Sequence, residues 1–201
     1  MWDERYSNSN SKDGYLFGTR PAAFLEAHAD LLIAGQRALA VADGEGRNGV
    51  FLAQQGLDVT TIDASEVGVA KARKLAKETG VTLNALVADV LAHEWEPETF
   101  DLVVGIFIQF AGPTDRTKMF DGMKQTLRPG GRLFLHGYRP EQLAFGTGGP
   151  PVAENMYTEE LLADQFSDFS IERLESYDAE IAEGTGHVGM SALIDLVAAK
   201  P

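Results

Sequence analysis

The sequence predicts an α/β fold: a mostly parallel, doubly wound sheet with helices on both faces. Short apolar runs alternate with segments of helical periodicity between residues 37 and 138. The run at residues 100–110 is apolar over nearly its whole length, as expected of a strand that is covered on both faces. A glycine-rich turn at residues 44–46 joins the first strand of this alternation to the following helix.

The first half of the chain supplies two strands and three helices. Residues 20–35 have helical apolar spacing, with Pro21 suited to a first turn and Gly35 to a C-terminal cap. A helix at residues 65–80 is capped by Ser65 and ended by Gly80. The other predicted elements are strand, helix and strand at residues 37–42, 47–56 and 57–64.

The second half continues the alternation and then breaks it. A Gly/Pro loop follows the fifth strand, and the last two strands have no helix between them. That ending indicates an antiparallel hairpin on one edge of the sheet. The predicted order is strand 81–89, strand 100–110, helix 115–127, an RPGG turn at 128–131, strand 132–138, loop 140–155, helix 158–166, and strands 169–184 and 189–200.

Composition limits the function classes. The chain has 201 residues, a net charge of -13 and no cysteine. The acidic balance opposes binding to nucleic acid or to an anionic membrane surface, and the lack of cysteine excludes disulfides and thiolate chemistry. The four histidines show no metal-ligand spacing, so no metal site is expected. Without an apolar signal segment or a membrane-length apolar run, a cytoplasmic protein is expected.

The glycine-rich turn raises the question of a nucleotide cofactor. Gly44, Gly46 and Gly49 match the dinucleotide fingerprint G-x-G-x-x-G, and glycines there let a ligand approach the backbone and the next helix N-terminus. Asp63 ends the second strand, nineteen residues after Gly44, where a carboxylate can accept ribose hydroxyls. Both features suit NAD and adenosyl cofactors alike.

Three features favour an adenosyl cofactor over NAD. Asp89, beside the backbone N–H of Val90, ends the third strand and can bind the edge of an adenine. About 36 residues precede the fingerprint strand, including aromatic residues that can close over a site. The Tyr-x-x-x-Lys pair of short-chain dehydrogenases is absent, and no second domain remains to bring a hydride acceptor.

The chain resembles a class I S-adenosylmethionine (AdoMet)-dependent methyltransferase. Within that fold it is similar to the small tellurite-resistance (TehB-like) and thiopurine-methyltransferase-like group, along essentially its whole length. The resemblance is carried by MWDERYS, YLFGTRPAAFL, GEGRNGVFLA, VTTIDAS, LRPGG and GYRPEQLAFGTGGP. It implies a Rossmann-like sheet of seven strands, the last antiparallel, in one domain over residues 1–201.

The resemblance also implies a division of labour along the chain. Residues 1–35 form a lid segment and helix, 36–139 the AdoMet-binding core, and 140–201 an acceptor loop, helix and hairpin. The family has an acid at the position of Ala40 and a glycine at that of Ala42, so the contact to the methionine amino group falls to Asp43 or to backbone carbonyls. The implied cofactor-binding residues are Asp43, Gly44, Glu45, Gly46, Arg47, Asn48, Asp63, Ala64, Ser65, Asp89, Val90, Gly105 and Phe107.

The implied reaction is in-line displacement of the methyl group by a small-molecule acceptor, leaving S-adenosylhomocysteine. A thiol or a tellurite- or selenite-type nucleophile needs little base help, whereas a hydroxyl or amine more often needs a general base. Arg20 suits an anionic acceptor, and His136 is expected to be structural. The acceptor-site candidates are Tyr15, Phe17, Arg20, Gln109, Tyr138, Gln142 and His187.

Two alternatives stay open. One is an NAD(P)-binding oxidoreductase, because GEGRNG fits the dinucleotide fingerprint literally. The other is a protein that binds AdoMet without catalysis, because Ala40 and Ala42 depart from the family pattern.

The basic residues of the 65–80 helix, among them Lys71 and Lys74, are expected on a solvated face. A monomer or homodimer is expected.

Overall fold

The computed structural model describes residues 2–9 and 11–201. Seven strands form one sheet of order β3-β2-β1-β4-β5-β7-β6. Neighbours β1 and β2, β2 and β3, and β4 and β5 are parallel, whereas β7 is antiparallel to β5. The strands are β1 Arg37–Val41, β2 Asp58–Asp63, β3 Asn84–Val87, β4 Phe100–Ile106, β5 Leu127–Tyr138, β6 Ser170–Glu183 and β7 His187–Ala199. The predicted fold class is confirmed.

The helices accompany the strands in the predicted alternation. Short 3-10 turns add to them at Ala29–Leu31 and Ala153–Asn155. The α-helices are α1 Trp2–Ser7, α2 Ala23–Ala27, α3 Arg47–Gln54, α4 Glu66–Thr79, α5 Pro113–Thr126, α6 Gln142–Phe145 and α7 Glu159–Gln165. No helix in the described part of the chain is long and apolar enough to cross a membrane.

The chain divides into two compact units. Unit 1 runs up to His93 and includes Ala182–Gly186, and unit 2 comprises Glu94–Ile181 and His187–Pro201. Each has its own buried apolar residues. The single domain with boundaries at residues 35 and 139 stays a prediction.

Unit 1 is built on helix α4, whose ends follow the predicted signals. Ser65 accepts a hydrogen bond from the Gly68 N–H at 3.0 Å, and Gly80 ends the helix in the left-handed conformation. The apolar face of α4 contributes Val69 and Ala72, which pack with Ala85 of β3. These contacts fix α4 beside the carboxyl end of β2, where candidate residues Asp63 and Ser65 lie.

Unit 2 packs around β4 and β5. Strand β4 is apolar and buried as predicted, with Val103 fully covered. Phe120 of α5 is fully buried, and its ring lies 5.6 Å from that of Tyr157 and 5.2 Å from that of Phe166. The residues that follow the carboxyl ends of β4 and β5 form the second group of candidate site residues.

Three element predictions are wrong in detail, and one helix was not predicted. The helix expected at 20–35 is only the five residues of α2 followed by a 3-10 turn. Strand β4 ends at Ile106, because Phe107 turns the chain with a φ of +55°. The RPGG segment is a bulge within β5 rather than a separate turn: Leu127 and Arg132 are five positions apart, but their partners on β4 are only two apart. The polar N-terminal stretch contains helix α1.

Candidate cofactor and acceptor sites

The glycine loop of unit 1 has the backbone that its sequence predicts. Gly44 and Gly46 have φ of +56° and +86°, a region that disfavours residues with a Cβ. A Cβ at Gly46 would lie 2.5 Å from the Cβ of Ala72, and one at Gly44 would lie 2.5 Å from the Tyr6 hydroxyl. The loop therefore requires glycine both for its conformation and for close approach of its neighbours.

Asp43 closes the loop onto helix α3. Its backbone carbonyl accepts from the Gly46 N–H, and its Oδ2 accepts from the Gly49 N–H at 2.9 Å. Burial raises the pKa of this carboxyl to about 7, although hydrogen bonds from Gly49 and Asn48 and the charge of Arg47 act in the opposite direction. In this structure the side chain stabilises the first turn of α3, so it is engaged away from a cofactor amino group.

Asp63 lies where the end of β2 meets the glycine loop. Its Oδ2 accepts from the Gly44 N–H at 2.8 Å and its Oδ1 from the Ser65 N–H at 2.8 Å. The residue is 8% exposed, and burial raises the pKa of its carboxyl while these two hydrogen bonds lower it. Each carboxylate oxygen can accept more than one hydrogen bond, so Asp63 keeps capacity for hydroxyl groups of a ligand.

Three predicted cofactor residues use their side chains within the protein. Glu45 is 4% exposed, pairs with Lys71 at 2.8 Å and accepts from the Leu16 N–H at 2.7 Å. Arg47 forms an ion pair with Glu183 at 2.7 Å, and Asn48 accepts from the Ala22 N–H at 3.0 Å. These side chains hold other segments against the loop, so only their backbones remain for a bound ligand.

Lys71 has a different environment from the one predicted. Its ammonium donates to the Tyr6 carbonyl at 2.5 Å and the Gly14 carbonyl at 2.6 Å, in addition to its contact with Glu45. The side chain is 22% exposed, so the prediction of a solvated position is wrong for Lys71. For Lys74 it is confirmed, because that side chain is 63% exposed.

The end of β3 presents an accessible carboxylate. Asp89 is exposed, and its Oδ1 accepts from the Leu91 N–H at 3.0 Å while its carbonyl accepts from the Ala92 N–H. Val90 beside it is buried. Asp89 therefore orders a turn and still exposes carboxylate oxygen, as an adenine contact requires. Ala64, next to Asp63, is exposed.

The three acceptor candidates of unit 1 lie in different environments. Tyr15 is 3% exposed and packs with Val50, Leu75 and Ala76. Phe17 lies edge-on to Tyr6, with ring centroids 6.5 Å apart. The Arg20 side chain is 86% exposed and pairs with Glu26 at 3.4 Å. The structure does not bring these three side chains together.

Unit 2 gathers three predicted residues into an aromatic cluster. The ring of Phe107 lies 4.7 Å from Tyr138 and 4.4 Å from His187, and Tyr138 lies 5.7 Å from His187. The positive φ of Phe107, unusual for a bulky residue, turns its ring into this cluster. We define Phe107, Tyr138 and His187 as the ring cluster.

The side chains of both glutamine candidates form hydrogen bonds within the protein. Gln109 donates to the Tyr138 carbonyl at 2.7 Å and accepts from the Tyr138 N–H at 2.6 Å. Gln142 is fully buried, accepts from the Ala192 N–H at 2.9 Å and donates to Thr147 Oγ1 at 2.9 Å. Both side chains fix the segments around the ring cluster. Gly105 is close-packed, because a Cβ there would lie 2.7 Å from Ile108.

His136, which was expected to be structural, lies 4.7 Å from the Phe107 ring and forms a buried pair with Asp195, which sequence reasoning missed. His136 Nδ1 and Asp195 Oδ1 are 2.6 Å apart, both side chains are 4% exposed, and the Tyr177 hydroxyl donates to the same oxygen at 3.2 Å. His136 and Asp195 are register partners on β5 and β7. Each is a polar residue in the middle of an apolar strand, which was the available signal. No group of three or more histidine, aspartate or glutamate side chains that could hold a metal occurs in the described residues.

Comparison with known proteins finds a methyltransferase family and methyltransferase relatives. Residues 38–131 match the family described as "Methyltransferase domain". A ubiquinone biosynthesis O-methyltransferase from Idiomarina loihiensis is 30% identical over 114 residues, which are 56% of this chain and 46% of that protein. The chain thus spans about half the length of the curated relatives it matches.

Solved structures share the fold at low identity. TehB from Haemophilus influenzae superposes with a TM-score of 0.76 at 17% identity, covering 100% of this chain and 68% of that chain. The magnesium protoporphyrin IX methyltransferase of Synechocystis PCC 6803, solved with bound SAH, gives a TM-score of 0.68 at 18% identity, covering 89% and 80%. The chain therefore shares the fold of these methyltransferases, and residues 38–131 match the methyltransferase-domain family.

Proposed function

We propose that this protein transfers a methyl group from S-adenosylmethionine to a small-molecule acceptor. The observation that carries the proposal is the geometry of Asp63, a buried carboxylate that accepts N–H groups from Gly44 and Ser65 beside a loop with left-handed glycines. A carboxylate held in this way is oriented before a ligand arrives, which lowers the entropic cost of binding.

The residues of unit 1 suit an adenosyl cofactor. Gly44 and Gly46 give the loop its left-handed backbone beside Asp63, and Asp63 retains capacity for ribose hydroxyls. The exposed carboxylate of Asp89 suits an adenine amino group. The proposed contacts of Glu45, Arg47 and Asn48 come from their backbone groups, because their side chains hold other parts of the protein.

The protein's share of the chemistry is orientation and exclusion of water. When bound, S-adenosylmethionine supplies a methyl group already activated on a sulfonium. The chain needs no covalent intermediate and must hold the acceptor in line with that group. We assign the acceptor to the ring cluster of unit 2, where the partly exposed Phe107 offers aromatic surface, the buried Tyr138 packs behind it and His187 supplies an imidazole.

Two acceptor classes have support. A thiol or chalcogen nucleophile is favoured by the TehB-like resemblance of the sequence and by the likeness of fold to TehB. A hydroxyl acceptor is favoured by the curated relatives, which are named O-methyltransferases, and by the imidazole of His187 in the ring cluster. Methylation of oxygen needs removal of a proton, whereas a thiolate or selenite-type oxyanion already carries its lone pair.

An acceptor panel tests the proposal. Purified protein is incubated with methyl-tritiated S-adenosylmethionine and, separately, with small thiols, selenite, tellurite and catechols, and the extracted product is counted. Turnover with one class assigns the acceptor, and His187→Gln should reduce turnover of catechols more than turnover of thiols. Cofactor binding without turnover on any compound would favour the non-catalytic alternative.

A further inference from the structure

Tyr6 is the residue that covers the glycine loop. It belongs to helix α1 and is 5% exposed. Its hydroxyl lies 2.5 Å from the position of a Cβ on Gly44, and its Cε2 lies 3.1 Å from that of a Cβ on Gly68. The ring is thus seated where the glycine loop meets the first turn of α4. Both neighbours are glycines, so the seat exists only because neither carries a side chain.

Several contacts fix the Tyr6 ring in this seat. Trp2 stacks on it with centroids 5.5 Å apart and planes 26° apart. Lys71 binds the Tyr6 carbonyl at 2.5 Å. At the start of α1, Asp3 accepts hydrogen bonds from the Ser65 hydroxyl and, at 3.3 Å, from the Val67 N–H. Helix α1 is therefore attached to α4 at both of its ends.

The Tyr6 hydroxyl itself has an unusual environment. Within residues 2–9 and 11–201 no side chain or backbone group hydrogen-bonds to it, and although the residue as a whole is 5% exposed, the hydroxyl oxygen is not fully buried. Burial raises the pKa of this hydroxyl above its ordinary value, and the nearby charges of Asp63, Glu45 and Asp43 raise it further. The group therefore stays protonated and can donate a hydrogen bond. Because the hydroxyl oxygen is not fully buried, a ligand can replace water as its hydrogen-bond partner.

The neighbours of the hydroxyl indicate which part of a ligand it meets. Among the nearby acids, Asp63 raises the pKa of the Tyr6 hydroxyl most. Asp63 ends β2, at the position that suits ribose hydroxyls. Gly44 connects the two residues, since its N–H binds Asp63 and its Cα faces the Tyr6 hydroxyl. A sugar accepted by Asp63 lies within the same small region as the Tyr6 donor.

We propose that Tyr6 is a binding residue for the ribose of the adenosyl cofactor, with its hydroxyl donating to a sugar oxygen opposite Asp63. This inference rests on the proposed function. It assigns helix α1 the task of completing the cofactor site, and it gives a physical reason for glycine at both 44 and 68.

The test uses Tyr6→Phe, which removes only the hydroxyl. Calorimetry measures the Kd of S-adenosylhomocysteine and of 5′-methylthioadenosine, which keeps the ribose and lacks the amino-acid part. We expect Tyr6→Phe to raise both Kd values by about fivefold, the value of one hydrogen bond. We also expect the ligand-free variant to melt close to the wild type, because the hydroxyl makes no hydrogen bond within the described residues.

Tyr157→Phe is the matched control. Tyr157 is fully buried in unit 2, and its hydroxyl also lacks a hydrogen-bond partner in the described residues. The control should leave both Kd values unchanged. Unchanged S-adenosylhomocysteine affinity in Tyr6→Phe would overturn the inference. Weaker S-adenosylhomocysteine binding with unchanged 5′-methylthioadenosine binding would also overturn it, because the hydroxyl would then meet the amino-acid part. Failure of the wild type to bind either compound would instead overturn the proposed function, and the inference with it.

Discussion

Asp43 Oδ2 and the backbone N–H of Gly49 are joined by a hydrogen bond of 2.9 Å. This contact ties the acid at the start of the glycine loop to the last glycine of the fingerprint. It also gives the third glycine of G-x-G-x-x-G a role that does not depend on NAD. The spacing is therefore compatible with an adenosyl cofactor. The third glycine serves packing and the first turn of α3.

Gly49→Ala should destabilise the protein. The new Cβ would lie 2.3 Å from Thr61 Cγ2 and 2.8 Å from Asp43 Oδ2, so the helix or the strand must shift. We expect a loss of about 1–3 kcal/mol in the free energy of unfolding, the usual cost of overpacking, measured by urea denaturation. Gly112→Ala is the control, because nothing lies closer than 4.0 Å to a Cβ there. Equal stability of the two variants would contradict this account.

Asp43→Asn should change how stability depends on pH. The folded pKa of about 7 lies above the ordinary value of 3.8, so the folded state binds the proton more tightly than the unfolded state does. Stability from this group is fully present below about pH 4 and is lost as pH rises toward 7. The loss amounts to at most about 4 kcal/mol.

The measurement is urea unfolding at intervals from pH 4 to pH 8. The asparagine variant should lose less stability over that range than the wild type, because the amide cannot ionise. Asp58→Asn, at an exposed position at the start of β2, serves as the control and should keep the wild-type slope. A wild-type slope in Asp43→Asn would show that this carboxyl does not titrate near neutrality.

Asp63→Ala should lower the affinity for S-adenosylmethionine by more than tenfold. The variant loses the proposed acceptor for ribose hydroxyls and the two hydrogen bonds that fix Gly44 and Ser65. The protein should remain folded, as circular dichroism can verify, with a stability loss of about 2 kcal/mol. Unchanged binding would remove the assignment of the β2 end to the cofactor.

Lys71→Met should loosen the N-terminal segment. The substitution keeps the aliphatic stem but removes the contacts with Glu45, Tyr6 and Gly14, leaving a buried carboxylate without its cation. We expect a loss of about 2–4 kcal/mol in unfolding free energy and faster hydrogen exchange in residues 2–9. Lys74→Met breaks only an exposed pair at 3.6 Å and should cost less than about 0.5 kcal/mol. Similar losses of unfolding free energy in both variants would contradict a stabilising role for the Lys71 contacts.

Local sequence signals predict most of unit 1. The β-branched run before Asp63, the cap at Ser65 and the stop at Gly80 are all read from neighbouring residues, and the structure has them. Helix α1 was missed because it is six residues long and is held by contacts with α4 rather than by its own apolar pattern. The bulge in β5 was missed because RPGG has the composition of a turn, while the pairing that extends β5 to Leu127 is not local.

The candidate sites depend more on contacts between distant residues. The glycine positions and Asp63 follow from the order of strand, turn and helix, so they are predictable. The destinations of side chains such as Glu45, Arg47 and Gln109 are not, because their partners lie 26 to 136 residues away along the chain. Tyr6 was expected only as part of an aromatic-rich segment that could close over a site, because nothing local to it indicates its seat on Gly44 and Gly68.

The central claim is that the GEGRNG loop of unit 1 binds an adenosyl cofactor and no nicotinamide. Calorimetric titration of the purified protein with S-adenosylhomocysteine, and in parallel with NAD and NADP, tests it most directly. We expect micromolar binding of S-adenosylhomocysteine and no heat of binding from either nicotinamide. Binding of NAD or NADP alone would contradict the account, because the glycine spacing would then be a literal dinucleotide fingerprint.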